Sequence, residues 1–414
     1  MTDTNQNSDH AVIIGGGLAG AKTAEGLRDN GYTGAITLIA DEAVAPYERP
    51  ALSKEFIAGS KTLPDFTVHD EAWYRDNNVD LRLGTRATAF DPAAKTVTLG
   101  DGSTLAYTSL VLATGSSSFR PPIEGADAAG VYYLRSVDDA TALLDVLGEG
   151  KRLAVIGAGW IGLEIAAGAR GRGTEVTVVE AAAQPLQAAL GPEIGAAFAE
   201  LHRQHGVDLR LDSKVAAVTV DDGKATGLKL GDGSTVDADA VLIAVGARPE
   251  TGLAEAAGLE IAERGVATDA GLRTSAADVY AVGDIAAAQH PILGTRVRTE
   301  HWANALNQPA VAAQNITGGN AEYARMPYFF TDQYDLGMEY RGHADGYASV
   351  VTRGDVAKRE FLAFWVSADG VVLAGMNVNI WDAGDDIAAL IEARRPVDTA
   401  KLADPSVPLA DLLA

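Results

Sequence analysis

The sequence predicts an α/β protein with two nucleotide-cradling units and a third, α+β domain at its C-terminal end. Three observations carry this. A strand–glycine turn–helix–strand pattern occurs at Ala11–Glu42 and again at Leu153–Ala181. Near-identical LGDGST turns follow each copy, at Leu99 and at Leu230. Beyond Met326 the chain changes to short runs rich in aromatic and β-branched residues, which read as strands.

In the first pattern, AVII is a short apolar run suited to a buried parallel strand. Gly15, Gly17 and Gly20 then spell G-x-G-x-x-G, and Leu18, Ala19 and the residues to Asn30 read as a helix. The glycines have separate tasks: a tight turn at Gly15, close approach of a pyrophosphate at Gly17, and close helix–strand packing at Gly20. The helix N-terminus offers N–H groups to the negative charge. A second strand, Ala35–Ala40, ends at Asp41, an acid placed to accept hydrogen bonds from ribose hydroxyls.

The second copy repeats this grammar with Gly157, Gly159, Trp160, Ile161 and Gly162, and its second strand ends at Glu180. A carboxylate there repels a 2′-phosphate and accepts from a 2′-hydroxyl, so this site should prefer NAD to NADP. Together the copies define two Rossmann-like units. One chain with two such sites suggests one fixed and one exchanging dinucleotide, and FAD with NADH is the natural pair because hydride passes between their rings.

Each half also has a closing strand. Leu110–Gly115 ends in the small-residue turn Ala113, Thr114, Gly115, and Val279–Asp284 ends in Gly283 and Asp284. Ligands of open α/β sheets bind outside such carboxyl ends, where Asp284 can accept from ribityl hydroxyls. Val241–Glu250 closes the second unit, and Gly246 lets the nicotinamide approach the backbone.

Composition excludes several function classes. The 414 residues include 47% hydrophobic and 21% charged residues, an ordinary globular balance. The formal charge of -23 repels nucleic-acid phosphates and anionic lipid, so neither is expected as a partner. There is no cysteine, so the chain has no redox disulfide, no thiolate metal site and no thiol nucleophile. The seven histidines show no ligand spacing, and no metal is expected. The polar start lacks a signal-peptide pattern, and no apolar run is long enough to span a membrane, so a cytoplasmic protein is expected.

Three stretches narrow the reading: PYERPALSKEF (Pro46–Phe56), RTEHWANALNQ (Arg298–Gln308) and PYFFTDQYDLGMEYRG (Pro327–Gly342). On these the chain resembles the FAD-dependent, NADH-using ferredoxin and rubredoxin reductases. These are the putidaredoxin reductase-like, oxygenase-coupled members of the glutathione-reductase-like superfamily, and they share their fold with apoptosis-inducing factor. The resemblance covers nearly the whole chain from Ala11.

It implies hydride transfer from NADH to flavin and single-electron transfer to a ferredoxin or rubredoxin. That partner feeds a cytochrome P450 or a ring-hydroxylating dioxygenase. It implies that Arg49 and Lys54 face the flavin, and that Glu164 pairs with Lys54 and helps position nicotinamide. Read alone, Glu164 could equally be a first-turn acid favoured by the helix dipole. The resemblance further implies that Glu300 meets the nicotinamide amide, that Trp302 contacts the flavin region, and that Arg135 and the backbone of Ala87 touch FAD. Two positions depart from the family. Ala188 stands where an arginine often holds the NADH adenosine, which weakens the expected grip on NADH, and Ala51 replaces a proline.

Two alternatives stay open: a binding or signalling flavoprotein like apoptosis-inducing factor, and a flavin monooxygenase. The expected division is a tail at 1–10, an FAD domain at 11–118 and 251–325, an NAD domain at 119–250 and a C-terminal reductase domain at 326–414. The chain is expected to be a monomer or a homodimer.

Overall fold

A computed structural model describes residues 9–413. The expected tail lies outside these residues except at its end, where His10 already opens the first strand. The chain forms two compact units. The first comprises the chain up to Glu48, Leu63–Ser117 and Arg248–Arg325; the second comprises Arg49–Thr62, Ser118–Ala247 and the chain from Met326 on.

The first unit is built on a parallel sheet in the order Val279–Ala281, Ser109–Leu112, His10–Ile14, Ala35–Ile39, Val79–Arg82. Its central strand is buried from Ala11 to Ile14, as the unbroken apolar run requires. Helix Leu18–Asp29 packs against helix Trp302–Ile316. Gly26 makes this approach possible, since a Cβ there would lie 3.1 Å from the Ala313 Cβ.

In the second unit the corresponding parallel order is Asp208–Arg210, Glu175–Val179, Arg152–Ile156, Ala240–Ile243, Val131–Tyr132. The duplication read from the LGDGST turns extends to atomic detail. Asp101 Oδ1 accepts from the Ser103 amide at 2.9 Å and hydroxyl at 2.7 Å, and Asp232 Oδ1 accepts from those of Ser234 at the same two distances. Each turn joins the second and third strands of a three-stranded antiparallel sheet.

From Met326 the chain forms an antiparallel sheet in the order Tyr328–Gln333, Leu336–Gly342, Val372–Val378, Glu360–Val366, Ser349–Asp355. The last of these strands has no fully buried residue, and Val350–Val351 is its only apolar pair. Trp365 is fully buried, and its indole N–H donates to the Leu190 carbonyl at 3.2 Å. A short helix follows at Gly384–Ala393.

One segment groups differently from the sequence-based division. Residues 49–62 fall within the stretch 11–118, yet they pack in the second unit. The reason is steric and ionic. Ile57 is fully buried, and a Cβ on Gly168 would come within 2.7 Å of its Cγ2. The neighbouring Lys54 pairs with Glu164 on the same helix. Gly168→Val should therefore cost about 1–3 kcal/mol by overpacking and loosen this segment. Limited trypsin digestion should then cut faster at exposed Lys61 than in the unaltered chain; equal rates would show that Ile57 does not anchor the segment.

Candidate active site

Each glycine turn is shaped by backbone, not by side chains. A Cβ on Gly15, at φ +126°, would sit 2.0 Å from the Ala113 carbonyl oxygen, and one on Gly20 would sit 2.0 Å from that of Gly15. In the second cradle the same tests give 2.6 Å from Gly157 to the Ala244 oxygen and 2.2 Å from Gly162 to the Gly157 oxygen. The middle glycines differ from these. A Cβ on Gly17 meets nothing within 4 Å, and one on Gly159 meets only the Ala244 oxygen at 4.0 Å.

The first and third glycines thus permit strand, turn and helix to touch, while the middle one keeps space clear in front of the helix. Both helices start on that middle glycine with no side-chain cap and no acid in the first turn. The first intrahelical bonds are Ala21 N–H to Gly17 and Leu163 N–H to Gly159. The amides of Leu18, Ala19 and Gly20, and of Trp160, Ile161 and Gly162, therefore have no acceptor within their own helices. Clear space before an uncapped helix N-terminus fits a pyrophosphate in both units.

The acids beyond the second strands are offset from one another by one residue. Ile14 pairs with Ile39 and Ile156 with Val179, so Glu180 corresponds to Ala40, and Asp41 lies one residue further on. Gly16 and Ala40 pack closely in the first cradle, since a Cβ on Gly16 would approach the Ala40 Cβ to 2.3 Å. Asp41 is exposed, 3.8 Å from Arg86. Glu180 accepts from the amides of Ala158 at 2.7 Å and Ala182 at 2.8 Å, which fixes its charge at the cradle. Ala188 is exposed near the start of helix Gln187–Gln204.

Around the first cradle, Ala113 and the strand-leading Ala87 are buried. Thr114 donates to the Glu250 carbonyl at 2.8 Å, and Gly115 turns at φ +67°. Gly283, at φ +77°, donates its amide to Gln308 Oε1 at 2.7 Å. Gln308 closes the RTEHWANALNQ stretch, but its role was not read from it; the sign was an amide side chain inside an apolar helix face. Arg298 donates to the carbonyl oxygen of Asp284 at 3.3 Å and to Glu300 Oε1 at 2.8 Å. Trp302 is half-buried and donates its indole N–H to Glu48 Oε2 at 3.0 Å.

In the second unit, Gly246 turns at φ +112° and accepts from the Phe119 amide at 2.9 Å. Arg49 donates to the Arg135 carbonyl, and the Arg135 amide donates to Asp139 at 3.0 Å. Trp160 packs edge-on to Phe329 at 4.7 Å, whereas Ile161 is 39% exposed.

Lys54 and Glu164 meet, as the resemblance implied. Lys54 Nζ lies 2.7 Å from Glu164 Oε1. Glu164 is not a first-turn acid: the helix begins at Trp160, and Glu164 is only 6% exposed. Two further donors, which sequence reading missed, complete it. Ser53 donates to Oε2 at 2.5 Å and Thr331 to Oε1 at 2.6 Å. Lys54 Nζ also lies 5.2 Å from the Phe330 ring centroid. A carboxylate withdrawn from water is tolerated only when paired and hydrogen-bonded, and here both conditions hold.

A match to the pyridine nucleotide-disulphide oxidoreductase model spans residues 9–309, and a match to the reductase C-terminal model spans 328–413. The chain belongs to the pyridine nucleotide-disulphide oxidoreductase family. The ferredoxin–NAD(+) reductase component of the anthranilate 1,2-dioxygenase system of Burkholderia cepacia is 40% identical, over 98% of this chain and 100% of that protein. Putidaredoxin reductase of Pseudomonas putida is 36% identical, over 98% of this chain and 97% of its own. The crystal structure of the covalent putidaredoxin reductase–putidaredoxin complex superposes with a TM-score of 0.93 at 35% identity, covering 99% of both chains. The protein is an oxidoreductase that works with FAD and NADH. Among the described residues no helix is long and apolar enough to cross a membrane.

Lys54→Met would leave the Glu164 carboxylate buried without its cation, at a cost of about 3 kcal/mol in denaturant unfolding. The double variant with Glu164→Gln should lose less than the two single losses combined; strict additivity would show that the pair is uncoupled. The buried His202 imidazole gives a pH signature. Burial lowers it from 6.5 to about 4, against a hydrogen bond to the Gln333 side-chain oxygen that raises it. The folded form then binds fewer protons than the unfolded form between these values. Stability from this group is complete above pH 6.5 and falls as pH drops towards 4, by about 3 kcal/mol in all. Urea midpoints at pH 7.5 and pH 5 should show this, and His202→Gln should flatten the slope.

Proposed function

We propose that this chain oxidises NADH and passes the electrons singly to a small ferredoxin or rubredoxin that serves an oxygenase. The observation that carries the reading is the presence of two separate uncapped glycine cradles in one chain without cysteine. The relatives reinforce it, since a named dioxygenase component and putidaredoxin reductase match over almost their full lengths.

Gly15, Gly17, Leu18, Ala19 and Gly20 would hold the FAD pyrophosphate, with Asp41, Ala87, the turn Ala113–Gly115, Gly283, Asp284 and Trp302 along the rest of the molecule. Arg49, Lys54 and Arg135, in the second unit, are also assigned to FAD. Gly157, Gly159, Trp160, Ile161 and Gly162 would hold the NADH pyrophosphate, with Glu180 at the adenosine ribose. Gly246, Glu164 and Glu300 would serve the nicotinamide. Bound flavin supplies the conversion of one hydride into two single electrons, which nicotinamide cannot perform.

The residues themselves position and tune. Lys54 contributes fixed positive charge, which favours a reduced, anionic acceptor. Glu164 balances that charge and keeps the lysine from drifting. No side chain needs to act as acid or base in hydride transfer. Without cysteine, the thiol relay that a disulphide reductase uses is not available to this chain. Both cradles lie in one chain, so a monomer or a homodimer is compatible with this reading, and a cytoplasmic location, where NADH is supplied, is part of the proposal.

An anaerobic titration of the flavin-loaded protein tests this. NADH should bleach the flavin absorbance, and NADPH should do so about a hundredfold less efficiently, because Glu180 opposes the 2′-phosphate. Adding a [2Fe–2S] ferredoxin or a rubredoxin should then raise turnover of NADH with cytochrome c as the final acceptor. If neither protein raises turnover above the direct reaction with oxygen, the electron-transfer reading fails.

A further inference from the structure

The hydrogen bonds that reach Glu164 do not end at Thr331. Gln333 Nε2 lies 3.2 Å from Thr331 Oγ1, and Gln333 Oε1 lies 2.8 Å from His202 Nε2. Thr331, Gln333 and His202 are each no more than 1% exposed. The chain thus runs without interruption from helix Gln187–Gln204, through strand Tyr328–Gln333, to the helix that opens on the second glycine cradle.

Its direction is fixed by elementary donor–acceptor logic. A carboxylate can only accept. Thr331 has one hydroxyl hydrogen, and Glu164 claims it. The Thr331 oxygen must then accept, so the Gln333 amide nitrogen faces Thr331. That turns the Gln333 oxygen towards His202, which must donate from Nε2–H. Nδ1 is consequently the bare nitrogen, and it is the imidazole atom left buried without a hydrogen-bond partner. A lone pair without a partner costs less than an N–H left bare, so the neutral Nε2–H tautomer is the one this pocket tolerates. Burial lowers the His202 proton affinity in the same sense.

We infer that Thr331, Gln333 and His202 form a one-way relay that positions Glu164, and that Thr331 acts through Glu164 and Lys54 on the reaction with NADH. Ser53, Lys54 and Thr331 occupy three acceptor directions of the carboxylate, which leaves room for one further donor. The relay determines where that last direction points. Losing the Thr331 hydroxyl leaves Glu164 held by Ser53 and Lys54 alone and free to turn about them.

This inference rests on the proposed use of Glu164 towards nicotinamide, and the test separates the two. Thr331→Val keeps shape and removes the donor. Gln333→Glu keeps Thr331 but gives it a carboxylate to donate to, which draws its hydroxyl away from Glu164. Both should slow anaerobic flavin bleaching by NADH by about tenfold, as expected for one charge-assisted hydrogen bond, and should weaken NAD+ binding measured by calorimetry. Thr331→Ser should restore both. Thermal unfolding of each variant checks that the fold is kept. Nitrogen-15 spectra of the imidazoles supply a readout independent of turnover: His202 should be the Nε2–H tautomer in the unaltered protein at pH 7.

Rapid bleaching by Thr331→Val overturns the relay, and so does equal slowing by Thr331→Ser, which would indicate packing in place of donation. An Nδ1–H tautomer at His202 also overturns it. If the unaltered protein is not reduced by NADH, the functional reading fails, while the histidine spectrum still decides the relay.

Discussion

A carboxylate buried beside an ammonium group organises the second unit. Glu164 lies one turn into the helix of a nucleotide cradle, where an unpaired negative charge would be costly. Its compensation comes from chain far away in sequence: Ser53 at a separation of 111 residues and Thr331 at 167. Satisfying one side chain therefore ties together the 49–62 segment, the glycine cradle and the C-terminal sheet. Burial strengthens each of these bonds because little water competes for them. The same burial makes the loss of any one partner expensive, so the constellation is rigid as a group.

The two cradles show how far duplication constrains a structure and where it stops. Their first and third glycines meet backbone oxygens in the same way, and both middle glycines leave space before an uncapped helix. The LGDGST turns are superimposable in their bonding. The acids have diverged: the first copy has Gly16 packed on Ala40, and the second has Ala158 bonded to Glu180. One cradle thus places fixed negative charge directly at the strand end, and the other places an exposed acid one residue later. The two strand ends therefore place their acids differently although the cradles are built from one plan.

The C-terminal sheet is more than a cover. Its first strand carries Phe329, Phe330 and Thr331 in succession, and these meet Trp160, Lys54 and Glu164 respectively. Its interior is anchored by Trp365, held to the Leu190 carbonyl where helix Gln187–Gln204 kinks at Gly191. Stability and site geometry therefore share the same contacts, which is why a chain without disulfides can hold a charged pair in place.

The sequence by itself determined the parallel sheets, the glycine turns and the duplicated hairpins, and the Lys54–Glu164 pairing was implied only by the family resemblance. Glycine spacing, apolar runs and motif neighbours are local properties, written within a few residues of each other. Only the tertiary structure decided the membership of residues 49–62, the offset between Asp41 and Glu180, and the parts played by Ser53, Thr331, Gln333, His202 and Gln308. Each of these follows from contacts between residues distant in sequence, 25 apart for Gln308 and more than a hundred for Ser53, Thr331 and His202, or from how closely small residues pack. A serine or threonine in a sequence carries no sign of which buried carboxylate it will satisfy; that is fixed when desolvation forces every polar group to find a partner.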